Sequence, residues 1–226
     1  MPETMYSTDH EERRRRVRLL SIGTVMAINL FILVRYVGLI RRSRIQPALA
    51  MWVFFTIAVV GSFVTYLSEG AHGPLDNILN TSDIVLVSSV SLAIFFFGDK
   101  TSHFTRFDLG CLGAVAAILV FWGFTRQHAV AHLAIQAILV IAYFPVVKRI
   151  WQADRNTESF AAWIGMLLAA ALSLLSSEGW LATVYSVRAV VCTSLLLLLM
   201  IRAKRRESRG RAALYEVPGD PTTPAS

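Results

Sequence analysis

Two side chains of opposite charge, Asp83 and Arg188, lie within long apolar stretches of this sequence. A charge inside such a stretch costs about 2.5–3.5 kcal/mol on membrane-insertion scales, so it usually faces the interior of a helix bundle. The guanidinium of Arg188 can bind Asp83, or it can bind an anionic or polyhydroxylated ligand. A purely structural ion pair, or a headgroup position for Asp83 at a helix start, is the alternative. Both residues are candidates for substrate binding.

Hydroxyl and indole side chains accompany these charges. Three hydroxyl side chains lie about one helical turn beyond the charges: Ser88 and Ser89 follow Asp83, and Thr193 follows Arg188. Hydroxyls suit a polar solute, although they also join membrane helices to one another. Trp52 and Trp163 can stack on the apolar face of a solute, and helix packing or interface anchoring is the alternative. These residues complete the predicted substrate-binding set.

Other chemistry is weakly represented. The segment HAVAH places His128 and His132 on one helix face, but it lacks the glutamate of the H-E-x-x-H motif and has no third ligand nearby. The sequence carries no P-loop, G-x-G-x-x-G, nucleophile elbow or kinase signature, and no serine has a partnered histidine and aspartate. We therefore predict no metal, no cofactor and no enzymatic activity.

The elements that position these residues are membrane helices. Of the 226 residues, 55% are hydrophobic and only 16% are charged. The apolar residues form runs of a length that crosses a bilayer, roughly 17–25 residues, and a bilayer-spanning backbone of this kind must be helical. The sequence predicts an all-α membrane protein with seven transmembrane helices, at 19–40, 47–67, 80–97, 107–124, 129–147, 160–176 and 181–201.

The basic residues cluster beside the apolar runs. Arg13–Arg16 and Arg202–Arg211 flank the first and last runs, where they suit lipid headgroups better than nucleic acid. With the N-terminus outside and the C-terminus in the cytoplasm, most basic residues lie inside, as the positive-inside rule requires. The arginines before the first run oppose this orientation, and a six-helix chain would place both termini in the cytoplasm. We expect residues 1–12 and 207–226 to be disordered.

Two stretches of the sequence echo each other. RYVGLIRRSRIQPALAMWVFF, from Arg35, aligns with AYFPVVKRIWQADRNTESFAAWIGM, from Ala142. Each contains an aromatic residue, a helix-weakening residue, a basic pair and a tryptophan in the same order: Tyr36, Gly38, Arg41-Arg42 and Trp52, then Tyr143, Pro145, Lys148-Arg149 and Trp163. The helices that follow end in the same tripeptide, Ser68-Glu69-Gly70 and Ser177-Glu178-Gly179.

The echo predicts an internal duplication. A first triple-helix repeat at 19–97 and a second at 129–203 are joined by a linker helix at 98–128. A basic tail at 1–18 and a tail at 204–226 complete the chain. An odd linker helix makes the two repeats parallel, so this 3-1-3 arrangement has its two-fold axis along the membrane normal.

This arrangement resembles the SWEET and PQ-loop superfamily, in particular bacterial seven-helix SWEET-like or PQ-loop-like membrane proteins of unassigned function. The resemblance covers about residues 20–205 and includes the restart Asn156-Thr157-Glu158-Ser159. It implies that Pro145 acts as a hinge near the end of a repeat's first helix, and Gly38 takes the equivalent place in the first repeat. The alternative is that Pro145 lies where the helix ends in any case. The sequence departs from the family pattern at Val146, where the named motif has glutamine.

The resemblance implies a SWEET-like transporter or facilitator of a small polar solute, with its cavity between the repeats, in the bacterial inner membrane. The alternative is a receptor, adaptor or scaffold that retains the fold and transports nothing. The predicted partners are the lipid bilayer and a small polar solute, without nucleic acid, and homo-oligomerisation stays open.

Overall fold

The computed structural model describes residues 3–45, 49–98, 105–152 and 159–215. These residues form eight α-helices, and a short 3₁₀ helix, Pro74–Asn77, precedes the third. No strand occurs within these ranges. The helices are α1 Glu3–Arg41, α2 Leu49–Leu67, α3 Ile78–Phe97, α4 Arg106–Thr125, α5 His128–Ile141, α6 Phe144–Gln152, α7 Phe160–Ser173 and α8 Trp180–Tyr215.

Seven of these helices are apolar. The apolar segments of four helices, α1, α3, α4 and α8, are long enough to cross a membrane. The apolar segments of α2, α5 and α7 are shorter. The predicted all-α class is confirmed, and the four long helices fit an integral membrane protein. Large apolar side chains also cover the outside of the bundle: Phe124 is 87% exposed and Phe96 is 68% exposed. Such a surface is stable against lipid and unfavourable against water.

Local sequence signals account for several helix starts. Thr105 and Asp108 form a capping box at the start of α4, in which each side chain accepts a hydrogen bond from the backbone N–H of the other. At the start of α3 the Asn77 side chain accepts from the N–H of Asn80 at 3.4 Å. These caps satisfy backbone donors that lipid could not.

The chain termini differ from the sequence-based expectation. Disorder was expected for 1–12 and 207–226, but α1 begins at Glu3 and α8 continues to Tyr215. Glutamate occurs in both extensions and arginine in the second, and both residue types favour helix. An i,i+4 pair of 3.3 Å also joins Arg16 to Glu12. Helix already nucleated by a membrane span propagates at little further cost. Residues 216–226 lie outside the described ranges.

The two predicted hinge positions differ. α5 ends at Ile141 and α6 begins at Phe144, so the chain breaks just before Pro145. Proline has no N–H to donate to the carbonyl of Ile141, which explains the break there. Gly38, in contrast, lies within the uninterrupted helix α1, and a Cβ added to it would meet nothing within 4 Å. The hinge function of both residues stays a prediction.

The helices pack in two sets. α3 contacts both α1 and α2, and α8 contacts α5, α6 and α7. The sets meet where α1 packs on α7 and where α2 packs on α5, with smaller contacts of α3 to α7 and α8. α4 lies against α2 and α5. α3 and α8, which carry Asp83 and Arg188, therefore lie next to each other in the bundle.

Candidate functional site

Asp83 and Arg188 come together around Tyr185. The Tyr185 hydroxyl donates to Oδ2 of Asp83 at 2.8 Å, and the Arg188 guanidinium carbon lies 4.7 Å from the centre of the Tyr185 ring. The ion pairs of the described residues include neither Asp83 nor Arg188. The direct salt bridge that the sequence suggested is thus not formed. Instead, one fully buried tyrosine contacts both charges.

Asp83 has a second partner on α1. The Asn29 side-chain amide donates to Oδ1 of Asp83 at 3.2 Å and to the Ser82 hydroxyl at 2.7 Å. Each carboxylate oxygen therefore accepts one hydrogen bond from a neutral donor. These contacts place Asp83 against α1 and α8.

Arg188 is less completely satisfied than Asp83. Its guanidinium interacts with the Tyr143 hydroxyl and with the face of Tyr185. Its Nε atom is buried and has no hydrogen-bond partner. A guanidinium offers five N–H donors, and a buried donor without an acceptor costs about 1–3 kcal/mol. Arg188 is therefore able to bind an additional acceptor.

Three residues of this site were not predicted from the sequence: Asn29, Tyr143 and Tyr185. Asn29 could have been found, because a polar amide within an apolar run meets the same criterion that singled out Asp83. The tyrosines carried no such signal, because tyrosine is common in membrane helices and at their interfaces.

The predicted hydroxyls contribute unequally. Thr193 is 3% exposed, and its hydroxyl donates to the carbonyl of Ala189 on its own helix at 2.7 Å. This bond makes Thr193 a helix-packing residue in this conformation. Ser88 and Ser89 are partly buried on α3, the helix that carries Asp83.

Each of the two predicted tryptophans packs on a tyrosine. Trp52 is 7% exposed and lies 5.3 Å from Tyr36, ring centre to ring centre, at an interplanar angle of 52°. Trp163 is partly buried and lies 6.4 Å from Tyr143 at 60°. Trp163 therefore reaches the site through Tyr143, whereas Trp52 packs in the core formed by α1, α2 and α3.

A second buried polar cluster joins α2, α3 and α5. The Ser62 hydroxyl accepts from the side-chain amides of Gln136 at 2.7 Å and Asn80 at 3.2 Å. His132 is fully buried, and its Nδ1 lies 3.0 Å from the Ser62 carbonyl. His128 has a different partner, since its Nδ1 accepts from the Trp122 indole at 2.8 Å. The two histidines of HAVAH thus make separate contacts.

A third polar cluster lies at the end of the bundle where α2 ends and α8 begins. Arg18 forms ion pairs with Asp76 and with Glu178, the latter at 2.6 Å. Tyr66 donates to the Glu178 carbonyl at 3.0 Å and stacks on His72. The imidazole and the two carboxylates are close enough together to hold a metal. However, the Arg18 guanidinium already pairs with both carboxylates, so we assign no metal site here.

Comparisons with protein-family models, with curated proteins and with solved structures returned no match. The resemblance to the SWEET and PQ-loop superfamily rests on the residues quoted above.

Proposed function

We propose that the protein is a transporter or facilitator of a small polar solute, built from two parallel triple-helix repeats at 19–97 and 129–203. The helix contacts support the repeat. If the repeats are equivalent, α1 corresponds to α5, α2 to α7 and α3 to α8. The contact between α1 and α7 should then have a counterpart between α5 and α2, and both contacts occur. Likewise, α3 packs against both α1 and α2 in the first repeat, and its counterpart α8 packs against both α5 and α7 in the second. α4 is the linker helix between the repeats.

Local geometry supports the same duplication. Each tryptophan packs on the tyrosine of its own repeat, Tyr36 with Trp52 and Tyr143 with Trp163. The glycine of each Ser-Glu-Gly tripeptide adopts a positive φ, 79° at Gly70 and 80° at Gly179. Equivalent side-chain pairs and equivalent backbone turns are expected from a common ancestral unit.

The observation that carries the transport proposal is the position of the charged site. Asp83 belongs to the first repeat and Tyr185 and Arg188 to the second, so the polar contacts cross between the repeats. A solute held there is released when the repeats move relative to each other, as alternating access requires. The break before Pro145 lies next to Tyr143, a contact of Arg188, and therefore places a candidate hinge beside the site.

A non-transporting receptor, adaptor or scaffold is the second candidate. It is favoured by the internal partners of Asp83, because Tyr185 and Asn29 satisfy both carboxylate oxygens without a ligand. In that case the cluster only holds the repeats together, and its polar groups act as links between membrane helices.

Exchange across a bilayer separates the two candidates. Purified protein in proteoliposomes should exchange at least one labelled solute from a panel of sugars, amino acids, vitamins and organic acids. Arg188→Gln should abolish this exchange. Arg35→Gln, which alters an exposed arginine in the apolar part of α1, should leave it intact. Absence of exchange for every solute would favour the scaffold.

We propose further that the N-terminus is outside and the C-terminus cytoplasmic, in a bacterial inner membrane. Basic side chains gather at the end of the bundle opposite Arg18: Arg202 lies 3.7 Å from the Trp151 ring centre and Arg206 donates to the Trp151 carbonyl. At the other end Arg18 is neutralised by two carboxylates.

A cysteine replacing Ser7 should then react with an impermeant maleimide added to intact cells. Reaction only after permeabilisation would reverse the orientation.

A further inference from the structure

The site holds two opposite charges near each other without pairing them. Asp83 and Arg188 face the same tyrosine, one at its hydroxyl and the other at its ring, yet neither belongs to an ion pair within the described residues. Opposite charges in a medium of low dielectric attract strongly, so keeping them apart is unfavourable unless something else satisfies each one. Tyr185 contacts both of them, through its hydroxyl and through its ring.

The two halves of the site offer complementary chemistry. Around Asp83 the carboxylate oxygens and the Ser82 hydroxyl form an end rich in hydrogen-bond acceptors. A carboxylate has about four acceptor positions, and only one is used on each oxygen, so further donors can be accommodated. Around Arg188 the guanidinium contacts the Tyr143 hydroxyl, but its buried Nε–H lacks an acceptor, so this end of the site offers a hydrogen-bond donor.

We propose that the ligand of this site is a small zwitterion, with its cationic group at Asp83 and its anionic group at Arg188. This inference rests on the proposed function and names the substrate class for it. A carboxylate would satisfy the open Nε–H and neutralise the guanidinium. An ammonium group would do the same for Asp83. A neutral sugar compensates neither charge, and a monocarboxylate or a monoamine compensates only one. The free amino acids are the simplest compounds that carry both charges.

Thermal shifts of the purified full-length protein test this with matched probes. L-Alanine, as one of a panel of the common amino acids, is compared with propionate, ethylamine, L-alaninamide and glucose. At least one amino acid should stabilise the wild-type protein. Its analogues that lack either charge should bind at least tenfold more weakly. The zwitterion assignment would be overturned by stabilisation with glucose, or by equal stabilisation with an analogue that lacks one charge. A complete lack of response to the amino acids would also overturn it.

Charge variants assign the two ends. Asp83→Asn should lose the preference for the amino acid over the corresponding carboxylic acid, because the cationic group no longer finds a carboxylate. Arg188→Gln should no longer bind the amino acid more tightly than the corresponding amine, because the anionic group no longer finds a guanidinium. Unchanged preferences in both variants would place the ligand elsewhere. If a variant cannot be purified, the comparison of analogues on the wild-type protein decides the matter alone.

The outcome for the inference is separable from the outcome for transport. Exchange of a sugar in proteoliposomes with no response to amino acids would retain transport and overturn the zwitterion. Selective stabilisation by an amino acid without exchange of that amino acid would retain the zwitterion site and indicate a receptor.

Discussion

Replacing Tyr185 with phenylalanine is expected to lower the free energy of unfolding by about 1.5–3 kcal/mol, the range for a hydrogen bond to a charged group. The substitution keeps the ring beside Arg188 and removes only the hydroxyl that donates to Asp83 at 2.8 Å. The partly buried Asp83 carboxylate is then left with the single neutral donor of Asn29. Equilibrium unfolding in mixed micelles measures the change.

Tyr66→Phe is the matched control for this experiment. Tyr66 and Tyr185 are both fully buried, but the Tyr66 hydroxyl donates to a neutral backbone carbonyl, that of Glu178, at 3.0 Å. Loss of a neutral hydrogen bond should cost only about 0.5–1.5 kcal/mol. If the two substitutions cost the same, the bond from Tyr185 does not reach an ionised carboxylate, and Asp83 is not a charged centre in this protein.

Replacing Gly179 with alanine should destabilise the protein more than the equivalent change at Gly70. Both glycines have a left-handed backbone, with φ of 80° and 79°, so each substitution carries the penalty of about 1–2 kcal/mol for an L-residue there. A Cβ at Gly70 would meet nothing within 4 Å, whereas one at Gly179 would lie 2.5 Å from Nε2 of His72. Overpacking of this kind adds about 1–3 kcal/mol.

A double substitution isolates that contact. His72→Ala removes the ring that a Cβ at Gly179 would strike, so Gly179→Ala in this background should cost about as much as Gly70→Ala. Thermal unfolding of the four variants in detergent supplies the comparison. An equal cost for Gly179→Ala and Gly70→Ala in the otherwise native chain would mean that His72 moves aside freely and does not pack closely on this turn.

The helix positions could be predicted closely, whereas the helix ends could not. The apolar runs at 80–97 and 107–124 correspond to α3, Ile78–Phe97, and α4, Arg106–Thr125. The run at 129–147 was predicted as one helix, but the chain breaks after Ile141 because of Pro145. The helical extensions of α1 and α8 were missed because polar composition was taken as a sign of disorder. Glutamate and arginine also favour helix. Continuity with a membrane span decides between helix and disorder, because a helix that is already nucleated extends at little further cost.

The site could be predicted only in part. Asp83 and Arg188 stood out because a charge within an apolar run is costly, and that cost is a local property of the sequence. Their relation through Tyr185 could not be inferred, because Tyr185 is 102 residues from Asp83 and meets it only when α3 packs on α8. Asn29 likewise reaches Asp83 from 54 residues away. Thr193 was selected for its hydroxyl, which its own helix occupies.

The amino-acid sequence by itself determined the all-helical class, the apolar helices and the presence of charges that need partners. Each of these follows from short-range properties: hydrophobic run length, backbone hydrogen bonding and the local cost of desolvating a charge. Only the tertiary structure decided which partner each charge has and that one tyrosine contacts both Asp83 and Arg188. That outcome depends on the rotation and depth of α1, α3 and α8 relative to one another, which are set by side-chain packing across the bundle.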